Sequence, residues 1–285
     1  MICAWKELLN ILPLWMRRDA DSLGREEARD IRLRLNQPPE IVCSGGSKRI
    51  NGQVSAEDLN FCINAASRYS PWAAGTISQG YITGPGGHRI GICGEAVIRE
   101  GKLSGIRNVS SLCIRVARDF PGVGEKIAGL EGSVLILGAP GWGKTTLLRD
   151  LIRQKSNQGH HISVVDERGE LFPEGISRGE QTEILTGCPK AQGIELLLRT
   201  MGPDIIAVDE ITAKADCDAL HQAAWCGVSL IATAHASSLA DYLHREVYSP
   251  LVKQNLFEHL VILHADRQFH LERSGRWTIN GSVRY

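Results

Sequence analysis

The chain has 285 residues, 43% of them hydrophobic, enough to bury one large core or two modest ones, so two domains are expected. Lys plus Arg number 32 and Asp plus Glu number 32, so the overall basic excess of a dedicated nucleic-acid binder is absent, although local basic patches stay open. None of the eight cysteines forms a CxxC pair and no apolar run reaches about 18 residues, which disfavours a zinc site, a disulfide framework and a membrane span.

The expectation is therefore a cytosolic protein with reduced thiols and no cleavable signal peptide, free to work at a membrane face. Met1–Arg18 places Trp5, Leu8, Leu9, Leu12 and Met16 at helical spacing, with Ile11, Leu14 and Trp15 widening the apolar surface. Pro13 interrupts it, giving either two short helices or one kinked helix. Such a helix either packs on its own domain or docks to a partner or lipid surface. Glu26–Leu35 reads as helical or strand-like before the Pro38-Pro39 break, and Leu59–Arg68 as a helix. Gly80–Ile98 reads as a hairpin turning at Pro85-Gly86-Gly87, and Leu112–Val116 as a strand. The Pro121-Gly122 break ends this part, so residues 1–122 are expected to form a small α+β domain and residues 123–285 a second one.

From there strands and helices alternate. Strands are expected at Ser133–Leu137, Ile162–Val165, Ile205–Val208, Ser229–Thr233 and Leu260–His264. Helices are expected at Lys144–Gln154, Gly193–Arg199, Ala219–Trp225 and Leu239–Val247, and a last hairpin at Ser274-Gly275. Short apolar strands between helices predict an α/β fold with a mostly parallel sheet covered on both faces.

Gly138-Ala139-Pro140-Gly141-Trp142-Gly143-Lys144-Thr145 matches GxxxxGK(S/T) between a predicted strand and a predicted helix, and Thr146 follows. Its glycines let backbone N–H groups turn inward around phosphates, beside the positive end of the helix. Lys144 is expected at the β- and γ-phosphates of ATP and Thr145 on Mg²⁺. Ile205–Val208 leads into Asp209-Glu210, a Walker B arrangement in which Asp209 holds Mg²⁺ and Glu210 polarises the attacking water. Two carboxylates there could instead cap a helix. Glu210 favours a hydrolase over a small-molecule kinase, which must keep activated water out.

Val165 leads into Asp166-Glu167-Arg168 at the same sheet edge. Glu167 is either a second acid near Mg²⁺ or, like Asp166, part of a structural pair with Arg168. His235, ending Ala232-Thr233-Ala234-His235, is a candidate γ-phosphate contact or an ordinary satisfied side chain, with Thr233 and Arg199 as weaker candidates for the same contact. Arg89, Arg107, Arg115 and Arg118 of the first domain carry planar forks suited to phosphate, and any of them is a candidate arginine finger.

Gly80–Gly91, Ser110–Arg118, the GxxxxGK(S/T) loop, Val165–Arg168, Pro203–Glu210 and Ile231–His235 occur in an order that closely resembles the stage III sporulation protein AA family. That family lies in the secretion-ATPase branch of the P-loop NTPases, and the resemblance runs from about Glu26 to Leu271. It implies a RecA-like ATPase domain behind a small α+β domain. It also implies a homo-oligomeric, hexameric ring at the cytoplasmic face of a membrane. The implied partner is an integral membrane component of a channel complex between mother cell and forespore, with no nucleic acid. Glu167 matches the family's Asp-box acid and His235 its His-box residue, and arginines such as Arg89 and Arg115 are implied to complete the nucleotide site. Trp142 and the stretch Thr212–Asp216 depart from the family pattern. Outside the resemblance, a RecA-like nucleic-acid translocase and a P-loop small-molecule kinase are the competing classes.

Overall fold

The structure, a computed structural model, describes residues 3–25, 27–43, 45–68, 80–173 and 175–273. The chain divides into two compact units, Met1–Asp119 with Pro173–Ile176, and Phe120–Phe172 with Ser177–Tyr285.

The first unit opens with two helices, α1 (Trp5–Ile11) and α2 (Leu14–Gly24). Leu12 between them is extended (φ −83°, ψ 148°), as a residue before proline prefers, and Pro13 caps the second helix. Pro13 therefore divides the amphipathic stretch instead of kinking it. Trp5, Leu8, Ile11, Leu12 and Met16 are buried in the unit's own core, whereas Leu14 stays 78% exposed. The charged stretch before Pro38 resolves as a strand, β1 (Ala28–Arg34), because Ile31 and Leu33 alternate with charged residues and are buried, and an irregularity in register between Ala28 and Asp30 accompanies the burial of Ala28 as well.

Strands β2 (Glu40–Cys43) and β3 (Gly46–Arg49) lead to α3 (Ala56–Ala66), whose start is fixed by a Ser55–Asp58 capping box. Strands β4 (Tyr81–Thr83), β5 (Arg89–Arg99) and β6 (Lys102–Arg115) complete a six-stranded sheet in the order β3-β2-β1-β6-β5-β4. Every pairing in it is antiparallel. The β4–β5 turn at Pro85–Gly87 needs its glycines: Gly86 has φ 70°, and a Cβ there would meet the Ala4 Cβ at 2.3 Å.

In chain order the second unit contains α4 (Glu125–Ala128), β7 (Val134–Gly138), α5 (Lys144–Asn157), β8 (Ile162–Asp166), β9 (Thr182–Thr186) and α6 (Lys190–Thr200). It continues with β10 (Ile205–Ile211), α7 (Lys214–Trp225), β11 (Ser229–His235), α8 (Leu239–His244), α9 (Ser249–Lys253), β12 (His259–Leu263) and β13 (Phe269–Arg273). The sheet order is β13-β12-β7-β11-β10-β8-β9, parallel throughout except for the edge strand β13. Separate apolar clusters cover its two faces, which explains why β7, β8 and β12 are buried along their whole length.

Strand β9 has no counterpart among the sequence expectations. Its Thr182-Glu183-Ile184-Leu185-Thr186 lacks an apolar run because it lies at the sheet edge and is buried only at Thr182. Helix α8 ends three residues earlier than its periodicity predicts, because Arg245 is extended (ψ 118°) and folds back onto Asp241 at 2.8 and 3.1 Å. The described C-terminal hairpin is β12–β13, closed by the His264 N–H to the Gln268 carbonyl at 2.9 Å. The hairpin expected at Ser274-Gly275 lies outside the described residues. All eight cysteines are free thiols, with Cys43, Cys62 and Cys217 buried. Among the described residues no helix is long and apolar enough to cross a membrane.

Candidate nucleotide site

Strand β7 ends at Gly138 and α5 begins at Lys144, so Ala139–Gly143 form the connecting loop. Gly141 (φ 77°) and Gly143 (φ 103°) hold left-handed backbone that other residues adopt at a cost, and Gly143 caps α5. A Cβ at either would meet nothing within 4 Å, so both glycines border open space. Gly138 is different: a Cβ there would press on the Leu263 Cβ and the Lys144 Cγ, both at 3.2 Å. Trp142, the departure from the family pattern, is half-buried against the core on the α5 face of the sheet.

The Lys144 ammonium donates to the Ala139 carbonyl at 3.3 Å. Burial lowers its pKa, while the carboxylates of Glu210 and Asp209 act in the opposite direction. The Thr145 hydroxyl donates to Asp209 Oδ2 at 2.9 Å. Pairing within the sheet sets this contact. His235 at the end of β11 lies opposite Gly138 on one side, and β11 pairs with β10 on the other. The two parallel strands keep register as far as Val208↔Ala232 and resume at Ile211↔Ala234, so β10 carries one extra residue at Asp209-Glu210. This bulge puts Glu210 at φ 48° and turns both acids toward the loop edge of the sheet. Thr233 lies opposite the bulge; its hydroxyl donates to Asp209 Oδ1 at 2.6 Å and accepts the Glu210 N–H at 2.8 Å.

Asp166, Glu167 and Arg168 have three separate roles. Asp166 is buried and accepts the N–H groups of Glu170 (3.0 Å) and Leu171 (2.8 Å), closing the turn after β8; burial raises its pKa. Glu167 meets Lys190 Nζ at 2.5 Å, and Arg168 reaches Glu210 Oε2 at 3.5 Å. Arg168 is therefore joined to the other acid strand and not to its neighbours Asp166 and Glu167, the structural pairs that are one of the two readings of this stretch. Parallel pairing of β8 with β10 brings the two strand ends together.

Lys190 was not singled out in the sequence. It is the first residue of α6, is 8% exposed, and follows Pro189; a cation at a helix N-terminus opposes the macrodipole, and a lysine directly after that proline is the signal the sequence holds. His235 is half-buried, and its backbone N–H donates to the Tyr248 hydroxyl at 3.1 Å. That hydroxyl also lies 3.4 Å from the Ile211 carbonyl, clipping the ends of β10 and β11 together. Arg199 pairs with Glu195 on its own helix. The candidate finger arginines belong to the other unit: on its sheet Arg89 stacks 4.0 Å over Tyr81, Arg115 faces Asp30 at 3.7 Å and Arg107 faces Glu95 at 3.0 Å, and beyond β6 Arg118 donates to the Ala28 carbonyl at 3.0 Å.

The residues present fit a magnesium nucleotide. Open space beside the left-handed glycines of a loop at a helix N-terminus suits phosphate oxygens. Among the described residues no three His, Cys, Asp or Glu side chains gather into a metal cage. Mg²⁺ on a nucleotide needs only one or two protein oxygens besides phosphate and water, and Thr145 with Asp209 offers such a pair.

The model of the family described as "Sporulation stage III, protein AA" matches residues 4–274. The chain belongs to that family. It is 33% identical over 271 residues to the stage III sporulation protein AA of Bacillus subtilis (strain 168), covering 88% of each chain. Solved structures show the same fold. The pilus retraction motor PilT with bound ADP aligns with a TM-score of 0.64 at 15% identity, over 94% of this chain and 85% of that one. The ATPase DotB of Legionella pneumophila aligns at 0.59 and 22% identity, over 92% and 80%. The second unit thus has an α/β, RecA-like fold with a mainly parallel sheet, and a small α+β unit precedes it in the chain.

Proposed function

We propose that the chain is the ATP-hydrolysing motor of a membrane-associated secretion or channel complex in sporulation, working on the mother-cell side as a homo-oligomeric, hexameric ring. The observation that carries this reading is the hydrogen bond from Thr145 to Asp209, which ties the glycine-rich loop to the acid-bearing strand end at one sheet edge. Lys144 neutralises the β- and γ-phosphates, and the α5 N-terminus adds its partial charge. Thr145 and Asp209 hold Mg²⁺, which when bound supplies charge neutralisation at the phosphates. Glu210 orients the attacking water and accepts its proton; Glu167, paired with Lys190, and His235 line the same edge. Arg89 and Arg115 are proposed as fingers that complete the site, from the same subunit or a neighbour.

Family membership supports the sporulation setting, and the two structural neighbours, an ATPase and a motor holding ADP, support the activity. The proposed partner is an integral membrane component at the cytoplasmic face, with no nucleic acid. The test is ATP turnover per subunit against protein concentration, with Glu210→Gln as the blank. Turnover that rises with concentration is expected for a site completed between subunits. A flat rate refutes completion by a neighbour, and a rate equal to the blank at every concentration refutes hydrolysis by the chain alone.

A further inference from the structure

Strand β11 runs Leu230-Ile231-Ala232-Thr233-Ala234, and Thr233 is the one hydroxyl in that apolar stretch, buried at 0% exposure. A buried hydroxyl is costly unless its hydrogen-bonding capacity is used. Here one oxygen serves two partners on the neighbouring strand. Its proton goes to Asp209 Oδ1 at 2.6 Å, so its lone pair receives the Glu210 N–H at 2.8 Å. The first bond fixes the rotation of the Asp209 carboxylate and leaves Oδ2 facing Thr145 at 2.9 Å. The second anchors the bulge at Glu210, where φ is 48°, a conformation that a glutamate does not favour unaided.

We propose that Thr233 is a positioning residue that locks the metal-holding acid and the water-orienting acid into one unit. This role rests on the reading of the site as a magnesium nucleotide site. The Thr145 hydroxyl would offer a lone pair to a cation while still donating to Asp209 Oδ2, and Thr233, donating to Oδ1, would fix the rotation of that carboxylate from the other side. The same hydroxyl sets where the Glu210 backbone, and with it the carboxylate, sits relative to Asp209. Side chains that orient metal-binding groups from behind commonly change metal affinity or activity by about 10- to 100-fold when removed.

The test uses Thr233→Val, which keeps the volume and removes the hydroxyl, and Thr233→Ser, which keeps the hydroxyl. Melting temperature, ADP affinity with and without Mg²⁺, and the Mg²⁺ dependence and kcat of ATP turnover are measured for both. Thr233→Val is expected to bind ADP without Mg²⁺ within about threefold of wild type, because the loop is untouched. It is expected to lose about tenfold or more of the Mg²⁺-dependent gain in ADP affinity and about 10- to 100-fold in kcat. Thr233→Ser is expected to restore both to within about threefold.

Wild-type Mg²⁺ coupling and kcat in Thr233→Val overturn the role. So does Thr233→Ser falling as far as Thr233→Val, since keeping the hydroxyl would then do nothing to hold the two acids. If Thr233→Val does not fold, Thr233→Ser against Thr233→Ala makes the same comparison, both lacking the methyl and differing only in the hydroxyl. A folded wild type that binds no ADP in either condition overturns the nucleotide reading itself and this role with it, whereas normal wild-type coupling that survives loss of the hydroxyl overturns the role alone.

Discussion

Gly193 lies on the buried face of α6, and a Cβ built there would meet Val165 Cγ1 at 2.6 Å, Val165 Cγ2 at 3.1 Å and Leu185 Cδ2 at 3.3 Å. Ordinary carbon contacts lie at about 3.5–4.0 Å, so the new methyl would intrude by about 1 Å. Val165 cannot yield easily, being β-branched, 1% exposed and held in β8 between two parallel strands. Replacing glycine by alanine within a helix is worth about 1 kcal/mol in favour of alanine. Overpacking a tight core costs about 1–3 kcal/mol, and a clash of this depth belongs at the upper end.

The expected net loss for Gly193→Ala is therefore about 2 kcal/mol, seen as a melting temperature lower by about 4–8 °C. A double-mutant cycle with Val165→Ala isolates the cause. With the obstructing methyls gone, Gly193→Ala becomes neutral or stabilising by up to about 1 kcal/mol, which gives a coupling of about 2–3 kcal/mol. A higher melting temperature for Gly193→Ala in the wild-type background, or strictly additive costs, would refute the packing argument. The change also bears on the site, since α6 begins at Lys190 and its displacement draws the ammonium away from Glu167.

Three further outcomes are expected. Lys144→Ala removes the counter-charge for the phosphates and abolishes nucleotide binding, while the melting temperature is unchanged or higher because burial works against the Lys144 charge; micromolar ATP affinity in the variant would contradict this. Asp150, 0% exposed, accepts the N–H groups of Gly122 (3.0 Å) and Gly124 (2.7 Å) and faces Arg153 at 2.7 Å, so Asp150→Ala costs about 3–5 kcal/mol in chemical denaturation; a loss below about 1 kcal/mol would show that the cluster relaxes. The Arg245 guanidinium, and after it the Ser237 N–H, hold the Asp241 carboxyl down at about 2. A depressed carboxyl adds stability that is present above its unfolded value of about 3.9 and lost as pH falls through its folded value. Asp241→Asn therefore flattens melting temperature against pH between about pH 4 and 2, and an unchanged acid limb would sink that assignment.

Much of the site is legible in the sequence because its signals are local. The glycine-rich loop needs glycines at fixed spacing for left-handed backbone and a helix immediately after it, and Gly138–Thr145 states all of that within eight residues. Strands β7, β8, β10 and β11 could be read from their apolar runs because a parallel sheet buries both faces, whereas the edge strand β9 could not. The two-way reading of Glu26–Leu35 arose because its apolar residues are few and interleaved with charges, and only pairing with β2 and β6 made it a strand.

The kind of chemistry is written along the chain: a phosphate loop, two acids after an apolar strand, and an alternation that only a covered parallel sheet satisfies. The tertiary structure alone decided who holds whom. Thr145 meets Asp209 across 64 positions of chain because β11 separates their strands by one place in the sheet. Arg168 faces Glu210 and not its neighbours because β8 lies next to β10, and Lys190 reaches Glu167 because Gly193 lets α6 pack tightly on Val165. The bulge that turns Asp209 and Glu210 outward is a mismatch in length between two paired strands. Backbone propensities are properties of a few consecutive residues and can be read along the chain. Strand order, register and close approach are relations between distant segments, set by which apolar faces bury each other, and no single segment contains them.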